Sequence, residues 1–234
     1  MFIGHYGVSF AAKRYGPGVP LWALFLAVQF LDVVFAALVL LGVEKMRIVP
    51  GFTAYNPYDL YWMPYSHSLA GALAWSAFAA ILWLLVARRG PGRRHMGAAA
   101  LIGAAVFSHF LLDVPMHTAD LPLTTAAGSP KIGLGLWNHR AAAIAAELVA
   151  LLAGGLLYLR ATRAVNRRYA VATFLFGLVL VALTLATPFM PDPPTARAFA
   201  VQALVSYVLL GWLAGLLDRG RLPKAPARPA PPVS

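Results

Sequence analysis

The chain has 234 residues, of which 60% are hydrophobic and only 12% charged, and its formal net charge is +11. Soluble domains run nearer half apolar and a quarter charged, so these numbers exclude an ordinary soluble globule, a disordered chain, collagen and a coiled coil. Cysteine is absent, which removes disulfides, thiolate-bound zinc, iron–sulfur clusters and thiol nucleophiles and leaves His, Asp, Glu and backbone oxygen as metal donors.

In chain order, the first fifteen residues are too short to span. Met1–Ala12 is apolar with small residues and is closed by Lys13 and Arg14. Twelve helical residues cover about 18 Å, so this stretch reads as a short helix dipping into a membrane. Six longer stretches follow, at Leu21–Gly42, Ser66–Ala87, Met96–Met116, Ala141–Leu159, Ala170–Pro188 and Ala198–Leu217. Each is long enough to cross a hydrocarbon core of about 30 Å. The predicted fold is an all-α polytopic membrane helical bundle of about six transmembrane helices plus that short N-terminal helix. Residues 1–222 form one integral-membrane domain, and residues 223–234, rich in Pro, Ala and basic residues, read as a disordered cytoplasmic tail.

With the N-terminus in the cytoplasm, 14 Lys and Arg fall inside and 5 outside. An even number of spans then returns both termini to the cytoplasm. The positive charge is explained by loop residues facing anionic lipid, so no nucleic-acid partner is expected. The outer loop Val43–Tyr65 is rich in aromatics, which reads as an interfacial belt.

Ionisable residues within spans are costly and need partners. Asp32, His109, Asp113 and Glu147 all fall there. His109 and Asp113 are one helical turn apart, a spacing that suits two ligands of one ion or a simple His–Asp hydrogen bond. His117 extends the ladder, but Pro115 is expected to end the helix first, which makes His117 a loop residue or a support for the ligands. Ser66 is a candidate cap of the second span, with His67 beside it at the membrane boundary. His5 and Asp32 fall at comparable depth. His95 reads as solvated. His139 and Glu147 lie on one side of the fourth span, where Glu147 is open as a base, a ligand or the partner of Arg140.

These segments together resemble the YdjM-like family of membrane-bound metal-dependent hydrolases, over roughly Gly4 to Met116. Gly4-His5 resembles the family's N-terminal Gly-His segment, and Asp32 stands at its acidic stretch. Tyr65-Ser66-His67-Ser68-Leu69 resembles its Thr-His-Ser-Leu motif, and Ser108-His109-Phe110-Leu111-Leu112-Asp113 its Ser-His-x-x-x-Asp motif. The chain departs from the family in having one acid at Asp32 and no His-Arg-Gly before the second motif. The resemblance implies metal-dependent hydrolysis in a bacterial inner (plasma) membrane, with His5, Asp32, His67, His109 and Asp113 as metal ligands.

That donor set suits zinc best, with manganese or iron as alternatives. Asp113 or Asp32 is the candidate general base. A lipid-linked ester or phosphodiester near the outer half of the bilayer is the expected substrate, and membrane lipid the expected partner. The alternative is a proton-coupled transporter built on the same buried groups, against which no broken helix is readable in the sequence.

Overall fold

The computed structural model describes residues 2–87 and 93–224, with the side chains of Arg93 and Arg94 left aside. The molecule is a helical bundle and an integral membrane protein. Helix α1 is His5–Ala12, and the first expected span is split into α2 (Leu21–Val28) and α3 (Phe30–Leu40). The long helices are α4 (Leu69–Val86), α5 (Arg93–Met116), α6 (Arg140–Ala161), α7 (Arg167–Ala186) and α8 (Ala196–Asp218). Among the described residues five helices are long and apolar enough to cross a bilayer, and the bent pair α2–α3, counted as one span, brings the number to six. Their outward faces are apolar: Leu85, Phe174 and Val205 are all well exposed, as lipid contact requires.

The break at Gln29 bends α2 against α3 by 56°. Neither Pro nor Gly stands there, so the cause is tertiary. Gln29 is fully buried and its amide donates to the Phe2 carbonyl at 2.8 Å. The absence of a broken helix, expected from the sequence, is therefore corrected.

The short N-terminal helix is present, but protein surrounds it in place of lipid. His5, Tyr6, Gly7, Ser9 and Phe10 of α1 are buried, and α1 packs on α2, α5 and α6. Glycine allows the closest of these approaches. A Cβ on Gly7 would stand 2.1 Å from the Ala150 carbonyl oxygen, and one on Gly154 would stand 1.9 Å from the Gly7 carbonyl oxygen. Ser9 adds a hydrogen bond to the Leu24 carbonyl at 3.0 Å.

Short hairpins close the two ends. At one end, β1 (Lys45–Ile48) pairs antiparallel with β2 (Tyr58–Trp62), and β3 (Leu121–Pro122) with β4 (Lys131–Ile132). At the other, β5 (Thr162–Ala164) pairs with β6 (Arg221–Pro223). Pro223 pairs with Thr162, and the Lys224 amide donates to Ala161, so the first two residues of the expected tail are held. Residues 225–234 lie outside the described residues.

Candidate metal centre

The cluster is assembled by five elements that meet in the half of the bundle nearer β1–β4. Helix α1 supplies His5, α3 supplies Asp32, the segment before α4 supplies His67, and α5 supplies His109 and Asp113. His117 follows directly after α5. Asp113 and all four imidazoles are at most 3% exposed, and Asp32 opens furthest, its side chain at 19%.

All five ligands expected from the sequence converge. His67 Nε2 lies 3.3 Å from His109 Nε2 and 3.2 Å from Asp32 Oδ1. His109 Nε2 lies 3.5 Å from Asp32 Oδ1 and 3.1 Å from Asp113 Oδ2. His67 Nε2 stands 3.8 Å from Asp113 Oδ2. His5 Nε2 meets the other carboxylate oxygen, Asp113 Oδ1, at 3.3 Å, and its ring stacks on that of His109 with centroids 3.9 Å apart. Neither ring nitrogen of His5 has a hydrogen-bond partner among the described residues.

His117 lies just past the end of α5, as a loop residue beside the ligands. Helix α5 continues through Pro115 to Met116, and His117 Nε2 arrives 3.5 Å from Asp113 Oδ2. The ladder His109, Asp113, His117 at successive fourth positions was the available signal.

The far side of each ring fixes its tautomer. His109 Nδ1 is 2.7 Å from the Val28 carbonyl oxygen, an oxygen that can only accept, so Nδ1 carries the proton. That carbonyl lies at the break between α2 and α3. His117 Nδ1 is 2.9 Å from Asp120 Oδ1 and is assigned its proton in the same way. His67 Nδ1 is 2.8 Å from Ser66 Oγ, whose single hydrogen goes to the buried Glu44 carboxylate. Ser66 therefore accepts from His67. Glu44 also accepts from the amides of Tyr65 and Ser66, at 2.7 and 2.9 Å. Ser66 thus orients an imidazole, and the cap of α4 is Ser68, which accepts from the Gly71 amide at 2.9 Å. Asp32 is oriented similarly: its Oδ2 accepts from the Tyr207 hydroxyl of α8 at 2.9 Å.

The consequence is electrostatic. With the rings neutral, three Nε2 lone pairs and the oxygens of two carboxylates face one another, an arrangement that either a metal ion or protons on Nε2 would satisfy. Rings whose Nδ1–H is held by oxygen while Nε2 faces a common point are the usual surroundings of metal-bound histidine. Two triads satisfy the geometry, His5–His109–Asp113 and Asp32–His67–His109. Both use His109 Nε2, which has one lone pair and holds one ion.

The other titratable candidates lie elsewhere. Glu147 is buried and anchors the chain's start: it accepts from the amides of Phe2 at 3.2 Å and Gly4 at 3.0 Å and from the Tyr55 hydroxyl at 3.0 Å. Burial and the neighbouring carboxylate push the Tyr55 phenol above its ordinary value, which keeps it a donor. Arg140 is not its partner; its Nε donates to the Ala54 carbonyl. His139 is exposed. His95 is half-buried rather than solvated, and its Nε2 lies 3.2 Å from the Leu84 carbonyl oxygen. No family model matches the chain, and no curated protein or solved structure matches it either.

Proposed function

We propose that the chain is a membrane-embedded metal-dependent hydrolase with one divalent ion held by His67, His109, Asp32 and Asp113. The supporting observation is a set of distances. Donors bound tetrahedrally at about 2.0–2.1 Å from an ion stand about 3.3–3.4 Å from one another. Five of the six separations among Nε2 of His67, Nε2 of His109, Asp32 Oδ1 and Asp113 Oδ2 are 3.3, 3.2, 3.5, 3.1 and 3.8 Å. The side chains stand at binding distance before any ion is placed. His5 and His117 border this set through Asp113. Two imidazoles and two carboxylates without thiolate suit zinc, with manganese or iron as alternatives.

A bound ion of this kind supplies a Lewis acid and lowers the pKa of water. The chain's own residues do the rest. Glu44 through Ser66, the Val28 carbonyl and Tyr207 hold three donors in place. Asp32, the most open of the four, is the donor that would yield its corner of the tetrahedron to water and then act as general base at Oδ1. The cluster lies within the bundle, so the substrate class it suits is a lipid-linked ester or phosphodiester. The resemblance to YdjM-like hydrolases, carried by the motifs around His67 and His109, points the same way. In this reading both termini are cytoplasmic, which the basic bias supports, the membrane is a bacterial inner membrane, and the centre lies toward the outer leaflet.

The alternative, a proton-coupled transporter, gains support from the broken α2–α3 span, since discontinuous helices serve transport sites. Elemental analysis of detergent-purified protein before and after chelation, followed by hydrolysis of lipid ester and phosphodiester substrates, separates the two. One equivalent of metal with chelator-sensitive hydrolysis is expected. Metal-free protein that moves protons in vesicles overturns the hydrolase reading.

A further inference from the structure

A groove of about 560 Å³ runs between α2 and α8 toward the β5–β6 end of the molecule, away from the metal centre. Its walls include Trp22 and Trp212, which are 47% and 58% exposed. Gly211 and Gly215 of α8 also line it where Leu26 and Trp22 of α2 pack close, a Cβ there standing 3.4 and 3.0 Å from those side chains, and Leu26 and Val208 line its apolar end. The opposite, polar end is formed by Lys13, Asp218 and Arg219.

The charges at that polar end are unequal in availability. Lys13 is occupied by Asp218 at 2.9 Å and by the carbonyls of Val19 and Pro17. Arg219 is exposed, and its side chain makes no hydrogen bond or ion pair within the described residues. The same end of the bundle carries Arg14, Arg160, Arg163 and Lys224, against Asp218 as its acid among the described residues. An apolar cleft with tryptophans along it and an exposed guanidinium at its mouth matches an acyl chain ending in a phosphate.

We propose that this groove binds one anionic phospholipid of the leaflet facing the basic end. An acyl chain lies over Gly211 and Gly215 between the two tryptophans, and the headgroup phosphate pairs with Arg219. The bound lipid bridges α2, which carries the Val28 carbonyl, and α8, which carries Tyr207. It is a separate site from the metal centre and does not depend on the reaction assigned there.

Native mass spectrometry of the detergent-purified full chain, given equal amounts of phosphatidylglycerol and phosphatidylcholine, tests the proposal. The wild type should retain one phosphatidylglycerol in preference to phosphatidylcholine. Arg219→Gln, a change at an exposed side chain, should lower that preference about fivefold, the effect of one basic residue near an anionic surface. Gly211→Leu should remove retention of both lipids by filling the groove, while Arg163→Gln, on the same end but outside it, should leave the preference intact. Equal retention of both lipids by the wild type overturns the proposal. So does an equal fall in Arg163→Gln and Arg219→Gln, which would indicate a diffuse field, or a lipid-free dimer in which a second copy covers the groove.

Discussion

Two of the buried polar clusters in this bundle, around Lys13 and around His109, differ in their hydrogen count. Around Lys13, donors and acceptors balance. The ammonium meets Asp218 and two carbonyls, and Asp218 accepts in addition from the Leu21 amide at 3.0 Å and the Tyr158 hydroxyl at 3.4 Å. Around His109 they balance only if a proton or a metal ion fills the centre: Glu44, Val28, Asp120 and Tyr207 fix the outer edges of the groups, and the inner edges bring imidazole nitrogens against carboxylates. Burial and charge are common to both, so neither marks a functional site by itself. The cluster around His109 is the one that an ion would complete, whereas the balanced one pins the start of α2 to the end of α8.

That contrast breaks most visibly at the donors. His109→Ala and Asp113→Asn should each abolish stoichiometric metal and any hydrolysis while the protein still inserts, because each removes a polar or charged group from a span. Metal content and membrane fractionation read this directly, and retained metal in both variants would make the cluster a self-satisfied one like that at Lys13.

The supports should show a graded loss. Ser66→Ala removes the acceptor that fixes the tautomer of His67, and metal affinity should fall about 10–100-fold, as for other groups that orient a ligand. Competition with a calibrated chelator measures it. Gly154→Val should act from further away, since a Cβ there meets the Gly7 backbone at 1.9 Å. Expulsion of α1 takes His5 with it, so metal affinity and thermal stability should drop together. Gly155→Ala, which meets nothing within 4 Å, is the matched control.

Lys13→Met should do the reverse of Ser66→Ala. It leaves Asp218 buried without its cation, costing about 3–5 kcal/mol of stability, yet leaves the metal content of the folded fraction unchanged. The smallest effect is expected at the exposed His139: His139→Ala should alter neither metal nor stability.

Much of the bundle was legible because hydropathy is a local property. Six apolar stretches give five long helices and one bent pair. The bend was invisible because its cause is the Phe2 carbonyl, 27 residues from Gln29, and Leu-Ala-Val-Gln-Phe-Leu contains no breaker. The gathering of His5, Asp32, His67, His109 and Asp113 could be read from the cost of isolated polar groups in lipid. His117 was read as a loop or supporting residue beyond Pro115, and α5 does end at Met116, one residue short of it. Glu44 gave no signal at all: it sits in a loop beyond α3, and its partners are a serine and two amides brought to it by the β1–β2 hairpin. Glu147 was noticed without its role, since backbone amides at the start of the chain leave no side-chain spacing to read.

The anchoring of the first residues by Glu147 also imposes an order in time. The Gly4 amide and its acceptor are 143 residues apart in the chain. At about 5–20 residues per second of synthesis, roughly 7–29 s pass between the emergence of one and the other. During that interval α2 and α5 can receive the helix of His5, but α6, which carries both Glu147 and Gly154, has not yet entered the bilayer to clasp it. The ribosome therefore delivers one end of the centre first and the clasp that seats it much later. A chain interrupted before α6 would hold His67, His109 and Asp113 with the first helix not yet clasped.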